Sequence, residues 1–167
     1  MKAYKFLTQD GSGVFSRFAW PLPDGGPGEW VESEPSVCRT GVHACRPPDL
    51  PYWLASALYE IELDGHVEEQ QLKVVASRGR LLRRIDAWNE ETSEAFSKMC
   101  IARGAELVAA APELEHWIQP PEAVAAGPAL MGFTAARIAE RLGGVDAYRE
   151  ERARQTRRLV ERLGLDQ

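Results

Sequence analysis

The hydrophobic pattern changes period once along this chain, near Ile85, and that change limits the folds open to it. Before Ile85, apolar residues alternate with polar ones or form short runs punctuated by glycine and proline, which is the grammar of strands and turns. After it, apolar residues recur on one side of long segments, as in amphipathic helices. Strands first and helices afterwards define an α+β chain, not an alternating α/β one. The expected architecture is a curved antiparallel sheet over about residues 1–85 with C-terminal helices packed on it.

Strands are expected at residues 2–8, 14–20, 29–32, 41–45, 58–63, 72–76 and 80–85. The turn 9–13 carries Asp10-Gly11, whose glycine supplies the positive φ of a tight hairpin. Residues 58–63 alternate strictly, with Tyr59, Ile61 and Leu63 on one face and Leu58, Glu60 and Glu62 on the other. Asp64-Gly65 is read as the end of that strand. Pro47 and Pro48 precede a short helix at about 48–56, since proline is tolerated in a first turn. Asp86 is read as the N-cap of a helix over 87–111. Two more helices follow, at 133–142 and 145–163, separated by Gly143-Gly144. The division read from this is 1–111, a sheet-bearing core domain with its first long helix, and 112–167, a helical extension packed on it.

Composition closes several classes. The chain has 167 residues, of which 44% are hydrophobic, enough for a packed core and against global disorder. Apolar runs fall short of the ~20 residues of a membrane span, and the apolar start is too short for a signal peptide; a cytoplasmic protein with no membrane partner is expected. Three cysteines in such a chain read as free thiols. The net charge of −5 speaks against nucleic acid as a partner. The charge is uneven, however: Lys73, Arg78, Arg80, Arg83 and Arg84 form one basic run and Arg152 to Arg162 another. Each reads either as a solvated face or as a surface meeting phosphate.

The segment from Cys38 to Leu63 concentrates the chemistry. Cys38, His43 and Cys45 lie within eight residues, and His43 and Cys45 share a face on an extended strand. Cysteine and histidine are zinc-type ligands, and Cys100 would be a fourth, but the spacing lacks the tight Cys-x2-4-Cys knuckle. A thiol nucleophile, Cys45 or Cys38, with His43 as its base is a second reading. Packing of small buried residues is a third, more comfortable for the cysteines than for His43. No metal site is assigned. Phosphate-loop, dinucleotide-fold, zinc-protease and hydrolase-elbow motifs are missing from the sequence.

The run Cys38-Arg39-Thr40-Gly41-Val42-His43-Ala44-Cys45 resembles an uncharacterised bacterial and phage domain family with a Cys-x-x-Gly-Phe-His-Ala-Cys core. Tyr52-Trp53, the acidic strand 58–65, Lys73 to Ser77 and Leu81 to Ile85 continue the match over roughly residues 1–110, with Val42 in place of the usual phenylalanine. The order of the 41–45 strand, short helix and acidic strand is also similar to the ADP-ribosyltransferase-like fold. That likeness implies His43 as the ring that stacks on nicotinamide, and Glu60 or Glu62 as the carboxylate that steadies charge on the ribose. Arg17 would stand for the NAD-gripping first-strand residue. His43 stands where tyrosine is usual.

The function expected is a small nucleotide-ligand-binding domain, with an ADP-ribosyltransferase-like transferase using NAD as its catalytic form. His43, Glu60, Glu62 and Cys45 are its candidate catalytic groups, and Arg17, Arg78 and Arg80 its candidate phosphate contacts. The rival from another class is a non-catalytic interaction module that binds a protein partner, or a second copy, through residues 130–165. The sequence leaves the cofactor and the question of catalysis open.

Overall fold

The computed structural model describes residues 1–35, 40–118, 120 and 127–165. It is an α+β chain in two compact units, Met1–Trp88 and Asn89–Asp166.

The first unit holds the strands β1 (Lys2–Leu7), β2 (Val31–Glu32), β3 (Val42–Ala44), β4 (Ala57–Gln70) and β5 (Lys73–Arg84). They form one antiparallel sheet in the order β1-β4-β5-β2, with β3 also pairing on β5. Its centre is the long β4–β5 hairpin, closed by the two-residue turn Gln71-Leu72. Two expected breaks in this hairpin do not occur. Asp64-Gly65 does not end β4: Gly65, at positive φ, is absorbed as a bulge where the register slips between Asp64 and Val67. Ser77-Arg78-Gly79 likewise lies inside β5.

The expected return strand at 14–20 is replaced by a loop held by isolated bridges, Leu7 to Gly13 and Ser12 to Ala19. Within it Arg17 takes a positive φ, which ladder pairing does not allow. The segment after β3 is a 3-10 turn, Pro47–Tyr52, shorter than the expected helix, with Pro51, which has no backbone donor, inside it. One face of the sheet supplies the core: Ala3, Leu7, Val42, Ala44, Tyr59, Ile61, Leu63, Val74, Ala76 and Leu81 pack with Trp20.

The second unit holds α1 (Glu90–Val108), a 3-10 turn at Pro112–Trp117 and α2 (Pro128–Leu163). Asn89, not Asp86, caps α1: its side chain accepts a bond from the Thr92 amide at 3.0 Å. The continuous span of α2 contains a break at Gly144, whose φ and ψ are non-helical, so the separation expected at Gly143-Gly144 is present as a kink. Where α1 and α2 meet, Glu151 is buried and takes two bonds from Arg154 (2.7 and 2.9 Å), one from Gln155 (3.0 Å) and one from Arg103 (3.3 Å). Fully buried Gln155 also donates to the Gly132 carbonyl at 3.0 Å and accepts from Arg152. Burial alone would raise the pKa of Glu151, but the Arg154, Gln155 and Arg103 bonds hold it below the ordinary carboxylate value.

Candidate functional site

The site lies where β1 approaches β3. These strands meet at the Tyr4–Cys45 bridge, where each amide donates to the other's carbonyl, at 2.8 and 2.7 Å. The alternation of a strand then turns the main-chain groups of His43 toward the same gap. Among the described residues no strand fills it. Instead, Lys5 Nζ donates to the His43 carbonyl at 2.6 Å. Around this gap opens a cavity of about 670 Å³.

β3 presents His43 for a local reason. Val42 and Ala44 belong to the core, so the side chain between them faces the other way. Gly41 makes the entry to β3 possible: its positive φ suits glycine, and a Cβ there would lie 2.6 Å from Val75 Cγ1. The pairing of His43 with Val75 brings Lys73, the first residue of β5, beside the imidazole. Lys73 Nζ lies 3.3 Å from His43 Nδ1, and His43 Nε2 lies 3.4 Å from the Thr40 carbonyl. An ammonium can only donate, so Nδ1 accepts and Nε2–H points to Thr40; this fixes one neutral tautomer. Partial burial lowers the His43 pKa, the Lys73 and Lys5 charges lower it further, and the Thr40 bond opposes them.

Much of the remaining wall is aromatic. Phe15 meets Trp53 edge to face, and Phe18 meets Trp20 likewise. Trp53 is oriented by its indole N–H, which donates to the Leu72 carbonyl at 2.6 Å. Lys5 Nζ lies 4.6 Å from the centre of the Trp20 ring, within cation–π range. Lys5 sits between Ala3 and Leu7 on the core-facing side of β1, opposite Tyr59. Burial there lowers its pKa from 10.5 to about 8, while the nearby Cys45 pulls the other way. Among the described residues neither Lys5 nor Lys73 has a carboxylate ion-pair partner. Among the same residues, the acid lining the cavity is Glu32.

The structure brings together only part of the constellation expected from sequence. His43 and Cys45 both line the cavity. Cys45 does not form the expected nucleophile and base with His43: its thiol donates to the Tyr4 carbonyl at 3.2 Å, and the imidazole is held by Lys73 and Thr40. Burial, with the nearby Asp49 charge, pushes the Cys45 thiol up to about 12, so it is a thiol at neutral pH. Cys38 lies outside the described residues, and among those described no cluster of three metal-type ligands occurs.

Glu60 and Glu62 are not in the cavity lining; they belong to a ladder of ion pairs on β4 and β5. Glu60 is buried between Lys2 at 2.9 Å and Arg83 at 2.7 Å; the Lys2 bond, then Arg83, outweighs burial and lowers its pKa. Glu62 pairs with Arg80 at 2.8 Å, and Asp64 with Arg78. Arg78 and Arg80 also lie over the Trp30 ring, at 4.8 and 4.6 Å from its centre. The expected phosphate contacts on β5 are therefore already matched to carboxylates and an indole, and Arg17 stands exposed on its loop outside the lining.

Sequence reasoning missed Lys5, Phe15, Phe18, Trp20 and Trp53 as site residues and marked Lys73 only as a member of the basic run over 73–84. Lys5 did leave a signal, a charge at a core-facing position of an apolar strand.

No family model matches the chain, and no curated protein or solved structure matches it either. No helix among the described residues is long and apolar enough to cross a membrane.

Proposed function

We propose that the Met1–Trp88 unit binds a small planar ligand carrying an anionic group, of the nucleotide class, in the cavity between β1 and β3. The observation that carries this reading is the make-up of the wall. Two ammonium groups without carboxylate partners among the described residues line it, Lys73 beside the His43 imidazole and Lys5 on the His43 carbonyl, together with the rings of Phe15, Phe18, Trp20 and Trp53. Rings provide stacking surface for a planar group, and the ammonium groups provide charge-assisted bonds to phosphate. The order of strand, short turn and acidic strand over 41–63, read against the ADP-ribosyltransferase-like fold, makes NAD one candidate. The reading is one of binding: Glu60 and Glu62 are engaged in ion pairs, so the transferase form lacks the carboxylate assigned to it.

Titration calorimetry with AMP, ADP and NAD tests this. One of the three binds the wild type, and Lys73→Met weakens it about tenfold, as loss of one charge-assisted contact should. No heat with any of the three ends the reading.

A second reading, an interaction module, rests on α2. Leu130, Phe133, Leu142 and Val145 are each more than 40% exposed there. If these residues join a second copy, sedimentation finds a dimer that Phe133→Glu dissociates; a monomer at high concentration removes that form of the reading.

A further inference from the structure

The amine of Lys5 is placed for more than holding charge. It reaches into the cavity beside the Trp20 ring, has no carboxylate partner among the described residues, and touches the His43 carbonyl, an acceptor that leaves its lone pair uncommitted once the amine is neutral. Lys73 stands at the same cavity as a second cation, where an anionic group of a ligand can be met. An amine in an apolar, partly dry wall with a separate cation nearby is the arrangement by which lysines condense with carbonyl compounds.

We propose that Lys5 forms a covalent imine with a planar aldehyde bearing an anionic group. This deepens the binding reading above and rests on it. The neutral nitrogen forms a bond to the carbonyl carbon as the C=O pair moves onto oxygen. A proton passes from nitrogen to that oxygen, giving a carbinolamine. The hydroxyl then takes a proton from solvent and leaves as water while the nitrogen lone pair closes the C=N bond, and the proton remaining on the iminium nitrogen returns to solvent to leave the imine. No oxidant, reductant or metal is consumed. With its pKa near 8, about half of Lys5 is neutral at pH 8, against about one in 300 of an ordinary lysine. A less basic amine is also a weaker nucleophile, by about tenfold on a thiol-like dependence, so a net advantage of about tenfold is expected over exposed lysines.

The chain makes the test clean, because its lysines are Lys2, Lys5, Lys73 and Lys98. The whole protein is treated at pH 8 with pyridoxal 5′-phosphate or with pyridoxal, reduced with borohydride, and mapped by peptide mass spectrometry. The expected result is labelling of Lys5 about tenfold above Lys2 and Lys98, stronger with the phosphorylated aldehyde and suppressed by whichever nucleotide binds in calorimetry. Labelling spread evenly over the exposed lysines, or confined to Lys73, overturns the proposal. Nucleotide binding without a Lys5 adduct overturns the imine and leaves the binding reading standing. A Lys5 adduct with equal preference for both aldehydes and no nucleotide binding overturns the anionic-ligand requirement in both. Lys5→Arg, checked for folding by circular dichroism, removes the labelled peptide; the wild-type map decides the matter even if that variant fails to fold.

Discussion

Replacing Lys5 by methionine isolates the cost of holding an ammonium in the cavity wall. In the folded chain the Lys5 pKa is about 8, against 10.5 for the free side chain. A lowered lysine pKa means the folded state binds the proton less well than the unfolded state does, so the group opposes folding while both states are charged. The penalty is complete below about pH 8, shrinks as pH rises toward 10.5, and vanishes above it. Its full size would be about 3 kcal/mol, which partial solvation of the half-buried side chain reduces to about 2 kcal/mol. Methionine has a similar length and no charge, but it loses the bond to the His43 carbonyl, which costs about 1 kcal/mol. The variant is therefore expected to be about 1 kcal/mol more stable than the wild type near pH 7, with that advantage gone or reversed near pH 9.5. Urea unfolding of both proteins at the two pH values, by tryptophan fluorescence, measures it. A gap that is constant with pH, or a variant much less stable than the wild type at neutral pH, refutes the burial argument for Lys5.

Three further outcomes follow from the same geometry. Glu151→Ala leaves Arg154 and Gln155 without their shared acceptor and should destabilise the second unit by about 3–5 kcal/mol, read by chemical denaturation; a change below about 1 kcal/mol contradicts the buried network. Cys45 should resist alkylation at neutral pH in the native protein and react at the rate of unfolding, because its thiol is buried with a pKa near 12; rapid labelling of Cys45 in a peptide map would show the site to be open. Acid should destabilise the first unit as pH falls below the ordinary glutamate range, because the Glu60 pKa is lowered in the folded state and its stabilisation is lost on protonation; Glu60→Gln removes part of that slope, and an unchanged slope argues against the Lys2 and Arg83 pairs.

The sheet-then-helix order was legible because the period of the apolar residues changes once, and the alternation of Tyr59, Ile61 and Leu63 marked the face of β4 that joins the core cluster, while Leu58 and Glu60 on the other face are buried too. The length of the hairpin was not legible. Asp64-Gly65 has turn chemistry, and only the partner strand β5 shows that Gly65 serves a bulge inside a longer ladder. The 14–20 segment has strand composition but closes on itself through Gly13 and Arg17, a result of loop hydrogen bonds that no local pattern encodes. The site was half visible. His43 stood out as a polar ring between two core residues. Its link to Lys73 depends on the β3–β5 register, and its link to Lys5 on the approach of β1 to β3, both long-range facts. Glu60 and Glu62 attracted attention by sharing a strand face, yet the same face carries their arginine partners across the ladder, so they stabilise the sheet without reaching the cavity.

The central claim is that an anionic planar ligand sits between β1 and β3. Amide and indole chemical-shift mapping on labelled protein, titrated with AMP, ADP and NAD, tests it most directly. Shifts are expected at Lys5, His43 and Lys73 and at the indole signals of Trp20 and Trp53, with Trp30 unmoved. Shifts confined to the arginines of α2, or none at saturating nucleotide, would contradict it.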